Sequence, residues 1–179
     1  MIPQLETERL VMRGPSAADF EPFARMMADP DVARYIAPAP MERSDAWRAL
    51  SSAIGHWSLR GYGAWSVFQK VDGAYMGRVG MVHPEGWPGL EVGWTLDKPF
   101  WGKGFATEAA AAAMRYAFLT QPVDRIISNI DPENTPSQAV ALRLGETKGE
   151  RGSVRVGGKD YPVDIWFISR AKWWAQQPR

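Results

Sequence analysis

The chain has no cysteine at all. That excludes disulfides, zinc–thiolate sites and a cysteine nucleophile together. Histidine is nearly as scarce, His56 and His83 being the only two. A multi-histidine metal site is thereby set aside, and no metal is expected. Charge of either sign is not in excess: 21 Lys+Arg against 20 Asp+Glu leave a formal net charge of +1. Nothing in that balance speaks for a nucleic-acid or membrane-surface partner. No apolar run approaches the roughly 20 residues of a membrane span. The opening Met1-Ile2-Pro3-Gln4-Leu5-Glu6-Thr7-Glu8-Arg9 is too polar for a signal peptide, so a cytoplasmic location is expected.

What is present is ordinary for a globular protein, except for nine tryptophans that must line a core, a pocket or an interface. A length of 179 residues suits one domain over 1–179 with a proper core. Leu10–Arg13 reads as a first strand. Ser16 is placed to cap a helix whose Phe20, Phe23, Ala24 and Met27 recur at helical spacing, and Asp29-Pro30-Asp31 breaks it. Ala37–Pro40 reads as a stiff loop. A further helix opens at Ser44-Asp45 with Trp47, Leu50, Ile54 and Trp57 as its apolar stripe, and ends at Gly61-Tyr62-Gly63. Ala64–Gln69 and Tyr75–Val82 form a hairpin around Val71-Asp72-Gly73. Leu90–Leu96 and Arg125–Ile130 are strands, and a helix spans about Thr107–Phe118. A short helix from Pro136 to Leu144 stops at Gly145. Val154 and Val156, then Asp164–Ser169, read as a last pair turned at Gly157-Gly158. The order predicts a mixed α/β (α+β) sheet rather than a doubly wound parallel one.

The sharpest feature is Phe100-Trp101-Gly102-Lys103-Gly104-Phe105-Ala106-Thr107-Glu108, between a strand and an alanine-rich helix. Glycines at a helix mouth leave successive N–H groups bare at the positive end of the helix dipole, a site for a phosphorylated ligand. The dinucleotide fingerprint fails, because Thr107 stands where its third glycine belongs and the preceding strands form hairpins. A Walker loop fails too: Gly152 and Gly157 have the spacing, but Gly158 replaces the lysine. Glu108, in the first turn, reads as an acid favoured by the dipole. Ala109–Ala113 reads as close packing against a sheet.

Taken in order, Leu5–Arg13, Glu91-Val92-Gly93-Trp94-Thr95-Leu96, Phe100–Glu108 and Asn134-Thr135-Pro136-Ser137 ahead of Leu144-Gly145 resemble the GNAT superfamily of acyl-CoA-dependent N-acetyltransferases. The branch resembled includes ribosomal-protein N-terminal acetyltransferases. The resemblance implies a single domain with a mostly antiparallel central sheet, splayed at the acyl-CoA site and covered by helices on both faces. It implies acetyl-CoA as co-substrate, its pyrophosphate on the amides of Gly102, Lys103, Gly104, Phe105, Ala106 and Thr107. It implies its pantetheine arm along Trp94, Thr95 and Leu96, mainly through their main chain. Lys103 either adds a cation near the phosphates or is a solvated loop lysine. Trp101 occupies a place where the superfamily usually has Arg or Gln, which removes one side chain able to fix the loop.

Two residues are expected to carry the chemistry. An amine arrives protonated at neutral pH, and Glu91 is the carboxylate placed to deprotonate it, directly or through water. The opposing reading is a strand-edge glutamate in solvent or in a structural ion pair. The resemblance puts Ser137 near the CoA sulfur, where a hydroxyl can protonate the departing thiolate, and Asn134 against the pantetheine. Plain helix capping accounts for the same residues. The tyrosine that many superfamily members carry four residues before the terminal glycine is here Ala141. His83 is the alternative base. Tyr35, the Ala37–Pro40 loop, Trp57, Trp65, His83 and Trp87 are the acceptor-side candidates. The acceptor is expected to be a peptide N-terminus or a small amine, and a homodimer is compatible with the exposed aromatics. The rival reading from another class is an acyl-CoA-binding regulatory domain without catalysis.

Overall fold

The computed structural model describes residues 1–37, 39–156 and 158–177; Pro38 of the expected stiff loop and Gly157 of the expected last turn lie outside them. Eight strands make one sheet in the order β1-β2-β3-β4-β5-β6-β8-β7. They are β1 (Leu5–Glu6), β2 (Leu10–Arg13), β3 (Ala64–Gln69), β4 (Tyr75–Val82), β5 (Glu91–Leu96), β6 (Arg125–Ile130), β7 (Thr147–Val156) and β8 (Lys159–Ser169). The helices are α1 (Phe20–Met27), α2 (Pro30–Ala33), α3 (Arg43–Arg60), α4 (Phe105–Thr120), α5 (Thr135–Arg143) and α6 (Arg170–Ala175). This is the expected mixed fold, with one antiparallel neighbour after another and a single parallel pair, β5 with β6.

That parallel pair is barely a pair. Its register holds at Glu91 opposite Ile127, fixed by the Ile127 N–H donating to the Leu90 carbonyl at 2.9 Å. Beyond it the strands part, which is the splay the resemblance implied.

The two faces of the sheet bury different helices. On one, Ala109, Ala110, Ala113 and Ala117 of α4 are fully buried with Met114 against Met76, Val79, Met81 and Val92. Side chains this small let the helix axis lie close to the strands. On the other, Phe23, Ala24, Met26 and Met27 of α1 pack on Ala46 and Leu50 of α3.

The expected stripe of α3 holds at Leu50 and Trp57 and fails at Trp47 and Ile54. Ala46, Leu50 and Trp57 are buried, whereas Trp47 and Ile54 are 53% and 36% exposed. Ala46 takes the inward place expected of Trp47, whose ring centre lies 5.3 Å from that of Phe20. α4 begins at Phe105, two residues before the expected start, because Gly104 (φ 81°) already serves as its N-cap. β7 and β8 are much longer than expected. Thr147–Ser153 carries no apolar alternation, and as an exposed edge strand studded with Lys148, Glu150 and Arg151 it needs none.

Candidate active site

The glycine loop is braced from three directions. Gly102 (φ 72°) and Gly104 (φ 81°) sit in the left-handed region that side chains disfavour. From behind, Glu108 accepts from the Thr7 hydroxyl at 2.5 Å, from the Arg9 N–H at 2.9 Å and from the Arg9 guanidinium at 2.7 Å. Arg9 also donates to the Lys103 carbonyl at 3.0 Å and lies 4.3 Å from the Phe105 ring centre. Burial works against the Glu108 charge, but these hydrogen bonds and Arg9 outweigh it and hold the carboxyl below its ordinary range. Glu108 thus anchors the N-terminal segment to the loop, a role beyond the dipole-favoured acid expected of it. From the side, the Trp101 indole N–H donates to the Leu96 carbonyl at 2.7 Å. Trp101 therefore does fix the loop, contrary to expectation, by tying it to the end of β5. The Lys103 ammonium turns back onto the Pro99 carbonyl at 2.8 Å. The main-chain N–H groups of Gly102–Thr107 donate to no acceptor among the described residues. The loop thus keeps the bare amides that a pyrophosphate needs.

Strand parity sorts the groups of β5. Leu90, Val92 and Leu96 present their carbonyls to the edge away from β4, to the Ile127 N–H, the Ser128 hydroxyl and the Trp101 indole respectively. Asp97 faces the other way, to Met76. Alternation then puts the Trp94 N–H and carbonyl on the open edge within the splay. Its neighbours are engaged differently. The main chain of Thr95 is turned toward β4, opposite Arg78, so only its side chain reaches the cleft. The carbonyl of Leu96 is taken by Trp101 and its side chain lies in the core, while the same alternation leaves its N–H on the open edge. Phe105 likewise buries its ring in the core.

A cleft of about 550 Å³ opens at the splay, lined by Glu91–Thr95, by Ser128–Asp131, and by Asn134 and Ser137 on one side. Tyr35, Ile36, Met41, Ser52, His56, Arg78 and Trp87 line the other. Glu91 is 9% exposed, not the solvated strand-edge residue of the opposing reading, and it forms no ion pair among the described residues. Its Oε2 accepts from the Trp87 indole N–H and from Asn129 Nδ2 at 2.7 Å. Its Oε1 lies on the side of Gly93, where a Cβ would stand 3.7 Å away with nothing else near. The missing side chain at Gly93 thus leaves Glu91 open to the cleft. Burial pushes the Glu91 carboxyl up to about 7, against the hydrogen bonds from Trp87 and from the side chain and main chain of Asn129 that lower it. A carboxylate half ionised at neutrality is matched to general-base work.

Ser137 accepts the Trp94 indole N–H at 3.2 Å, and its hydroxyl donates to no acceptor among the described residues. Asn134 Oδ1 accepts the Ser137 N–H at 3.1 Å, which is the capping role, performed at the cleft wall. Ala141 is fully buried beside Ile130 and Trp166. His83 does not line the cleft. His56 does, with its Nε2 buried and without a partner among the described residues; burial first, then Arg60 and His83, depress its pKa. Trp57 and Trp65 belong to the core, 4.9 Å apart at their ring centres.

Three cleft features were not singled out from the sequence. Asn129 and Ser128 are polar residues within an otherwise apolar strand, and that break in Ile126–Ile130 is the signal that marks them. Ser128 Oγ lies 2.9 Å from the Val92 carbonyl and 2.9 Å from Oε1 of buried Glu146. A hydroxyl has one proton and a carbonyl only accepts, so satisfying both contacts requires a proton on Glu146. Burial, with the nearby Glu91 charge adding to it against the Ser128 hydrogen bond, raises the Glu146 carboxyl to about 8. Ser128 and Glu146 therefore form a neutral pair that holds the Val92 carbonyl where β5 and β6 part. Arg78, charged within an apolar strand, is the third.

Residues 9–147 match the family model described as an acetyltransferase (GNAT) domain. Over 173 residues the chain is 32% identical to the N-acetyltransferase p20 of Bacillus licheniformis, spanning 94% of this chain and 96% of that one. An acetyltransferase structure from Agrobacterium tumefaciens str. C58 superposes with a TM-score of 0.82 at 29% identity, covering 95% of this chain and 96% of its own. A ribosomal L7/L12 alpha-N-protein acetyltransferase, solved in complex with coenzyme A, shares the fold at a TM-score of 0.74 and 16% identity, covering 93% and 98%. With the splayed β5, the bare glycine loop and these matches together, the chain belongs to the GNAT acetyltransferase family, acyltransferases that use acetyl-CoA as donor.

Proposed function

We propose that this protein transfers the acetyl group of acetyl-CoA to a primary amine, of a protein N-terminus or of a small molecule, by direct attack within a ternary complex. The observation that carries this reading is Glu91: a buried carboxyl in the cleft with one oxygen held by Trp87 and Asn129 and the other aimed past Gly93. The absence of cysteine supports direct transfer, since no thiol is available to carry the acyl group. One unbroken sheet from Leu5 to Ser169 supports reading 1–179 as a single domain.

The residues divide the work. The amides of Gly102–Thr107, with the α4 dipole, hold the pyrophosphate; Lys103 contributes its main chain and braces the loop through Pro99. The open edge of Trp94 runs beside the pantetheine arm. Acetyl-CoA supplies a thioester, an activated acyl group whose leaving thiol needs little protonation at a reference pKa of about 8.5. The Trp94 N–H is placed to stabilise negative charge on the thioester oxygen. Glu91 Oε1 takes the proton of the amine. Asn129 Oδ1, buried and without a partner among the described residues, gives the incoming N–H groups a second acceptor. Ser137, its hydroxyl oriented by Trp94, and Asn134 stand at the sulfur end of the cleft.

The test is thermal unfolding with acetyl-CoA, ATP or NAD, followed by turnover on an amine panel. Acetyl-CoA at 100 times its dissociation constant stabilises the fold by roughly 2.7 kcal/mol, and ATP and NAD do not. Initial rates with both substrates varied give intersecting rather than parallel lines. Binding of acetyl-CoA with no transfer to any amine would favour the regulatory-domain reading instead.

A further inference from the structure

Arg78 is the cleft residue that the reaction, as derived above, leaves unused. It lies on β4 opposite Thr95, on the face of the sheet that also carries Gly80 with Gly93 and Val82 with Glu91. The other semi-buried arginines are fully engaged. Arg13 grips Asp19 at 2.5 and 3.0 Å, Arg9 grips Glu108, and Arg170 donates to the carbonyls of Phe118, Gln121 and Val123. Arg78 has neither an ion pair nor a side-chain hydrogen bond among the described residues; its guanidinium carbon lies 5.5 Å from the Phe23 ring centre. Asp19 cannot serve it, being saturated by Arg13, the Ser66 hydroxyl at 2.8 Å and the Ser16 N–H at 2.9 Å. Burial works against the Arg78 charge, and no acceptor side chain among the described residues offsets it.

We propose that Arg78 is the acceptor's anchor: it pairs with a carboxylate on the amine substrate while Glu91 receives the amine proton. This rests on the acetyltransferase reading and specifies its substrate class. The geometry suits it. Thr95, opposite Arg78, and Glu91 are four residues apart on β5, about 13 Å along the strand. Between them the facing pair is Gly80 with Gly93, so no side chain fills the floor of the gap. A guanidinium reaching in from one end and a carboxyl from the other bracket a molecule with a cationic and an anionic end. Arg34 lines the same side of the cleft, also without a carboxylate partner among the described residues, and adds positive charge there. The other carboxylate on the cleft wall, Asp131, lies at the far side beside Asn134. A planar guanidinium offers a carboxylate two parallel N–H donors, which fixes orientation as well as charge.

The chemistry fits two sources, a free amino acid or a peptide with an acidic residue near its N-terminus, and the test separates them. Turnover is measured on sets of free amino acids, their carboxamides and the corresponding amines without a carboxyl group. Peptides with Glu or with Gln in the second position form a further pair. Wild type is expected to favour the carboxylate member of one pair by at least tenfold in kcat/KM. Arg78→Met abolishes that preference while leaving the amide rate within a few-fold, and Arg78→Lys retains part of it. Arg78→Met also raises Tm, because it removes an unpaired charge; an arginine of structural purpose would lower it. Equal rates across the pairs, or equal slowing of all acceptors by Arg78→Met, would overturn the assignment. No turnover with any member would overturn it too. A Tm shift with acetyl-CoA in the same samples then shows that only the acceptor class is wrong, and its absence shows that the acetyltransferase reading has failed.

Discussion

Replacing Glu91 by glutamine is expected to lower kcat by about 10²–10³-fold, with little change in the dissociation constant of acetyl-CoA. Glutamine keeps the size of the side chain and an oxygen for the Trp87 and Asn129 donors, but it cannot take a proton. The wild-type kcat/KM should rise with pH through an apparent pKa near 7, the value to which burial pushes this carboxyl. Glu91→Gln should lose that limb. A second rise belongs to the acceptor's own ammonium, about 7.7–8.0 for an α-amino group. An acceptor of lower amine pKa moves the second rise and leaves the first in place. A variant with unchanged kcat would return Glu91 to a structural part.

The next largest effect concerns stability. Glu146 is buried with a folded pKa of about 8, against an ordinary carboxyl value of 4.5. The folded state therefore holds a proton that the unfolded state has lost throughout that window. The contribution to stability is complete below about pH 4.5 and declines as pH rises toward 8, by roughly 5 kcal/mol at full size. Glu91 acts with the same sign between 4.5 and about 7. Tm should therefore fall steadily from mildly acid to mildly alkaline buffer. Glu146→Gln, whose amide can donate to Ser128 without titrating, should flatten the upper part of that fall and exceed wild type in Tm at pH 8.5. Glu91→Gln should flatten only the lower part. An unaltered slope in Glu146→Gln would mean that Ser128 does not face a protonated carboxyl.

The contrast between Glu91 and Glu146 shows what a sequence can and cannot express. Glu91 was visible because it opens a strand whose Gly93 and following glycine loop already pointed to a ligand. Its tuning was not visible, since Asn129 lies 38 residues away and Trp87 sits in a Pro/Gly loop. Glu146 follows Gly145 in a turn, and only the return of α5 beside β6 brings it to Ser128. Local signals carried the hairpin of β3 and β4, the helix caps at Gly61 and Asn134, and the close packing of α4. They placed Leu50 and Trp57 on the buried stripe of α3 but put Trp47 there in place of Ala46, and missed most of β7, an edge strand whose pairing is main-chain. Arg78 was passed over because a charge in a strand reads as a solvent-facing residue until its neighbours are known.

The account rests on main-chain groups left open for acetyl-CoA, so amide hydrogen exchange with and without that ligand tests it most directly. Acetyl-CoA should slow exchange at the amides of Gly102–Thr107 and at Trp94, and leave Thr95, already turned toward β4, unaltered. Protection elsewhere with none at the loop or Trp94, or the same protection from ATP, would contradict the assignment of this cleft.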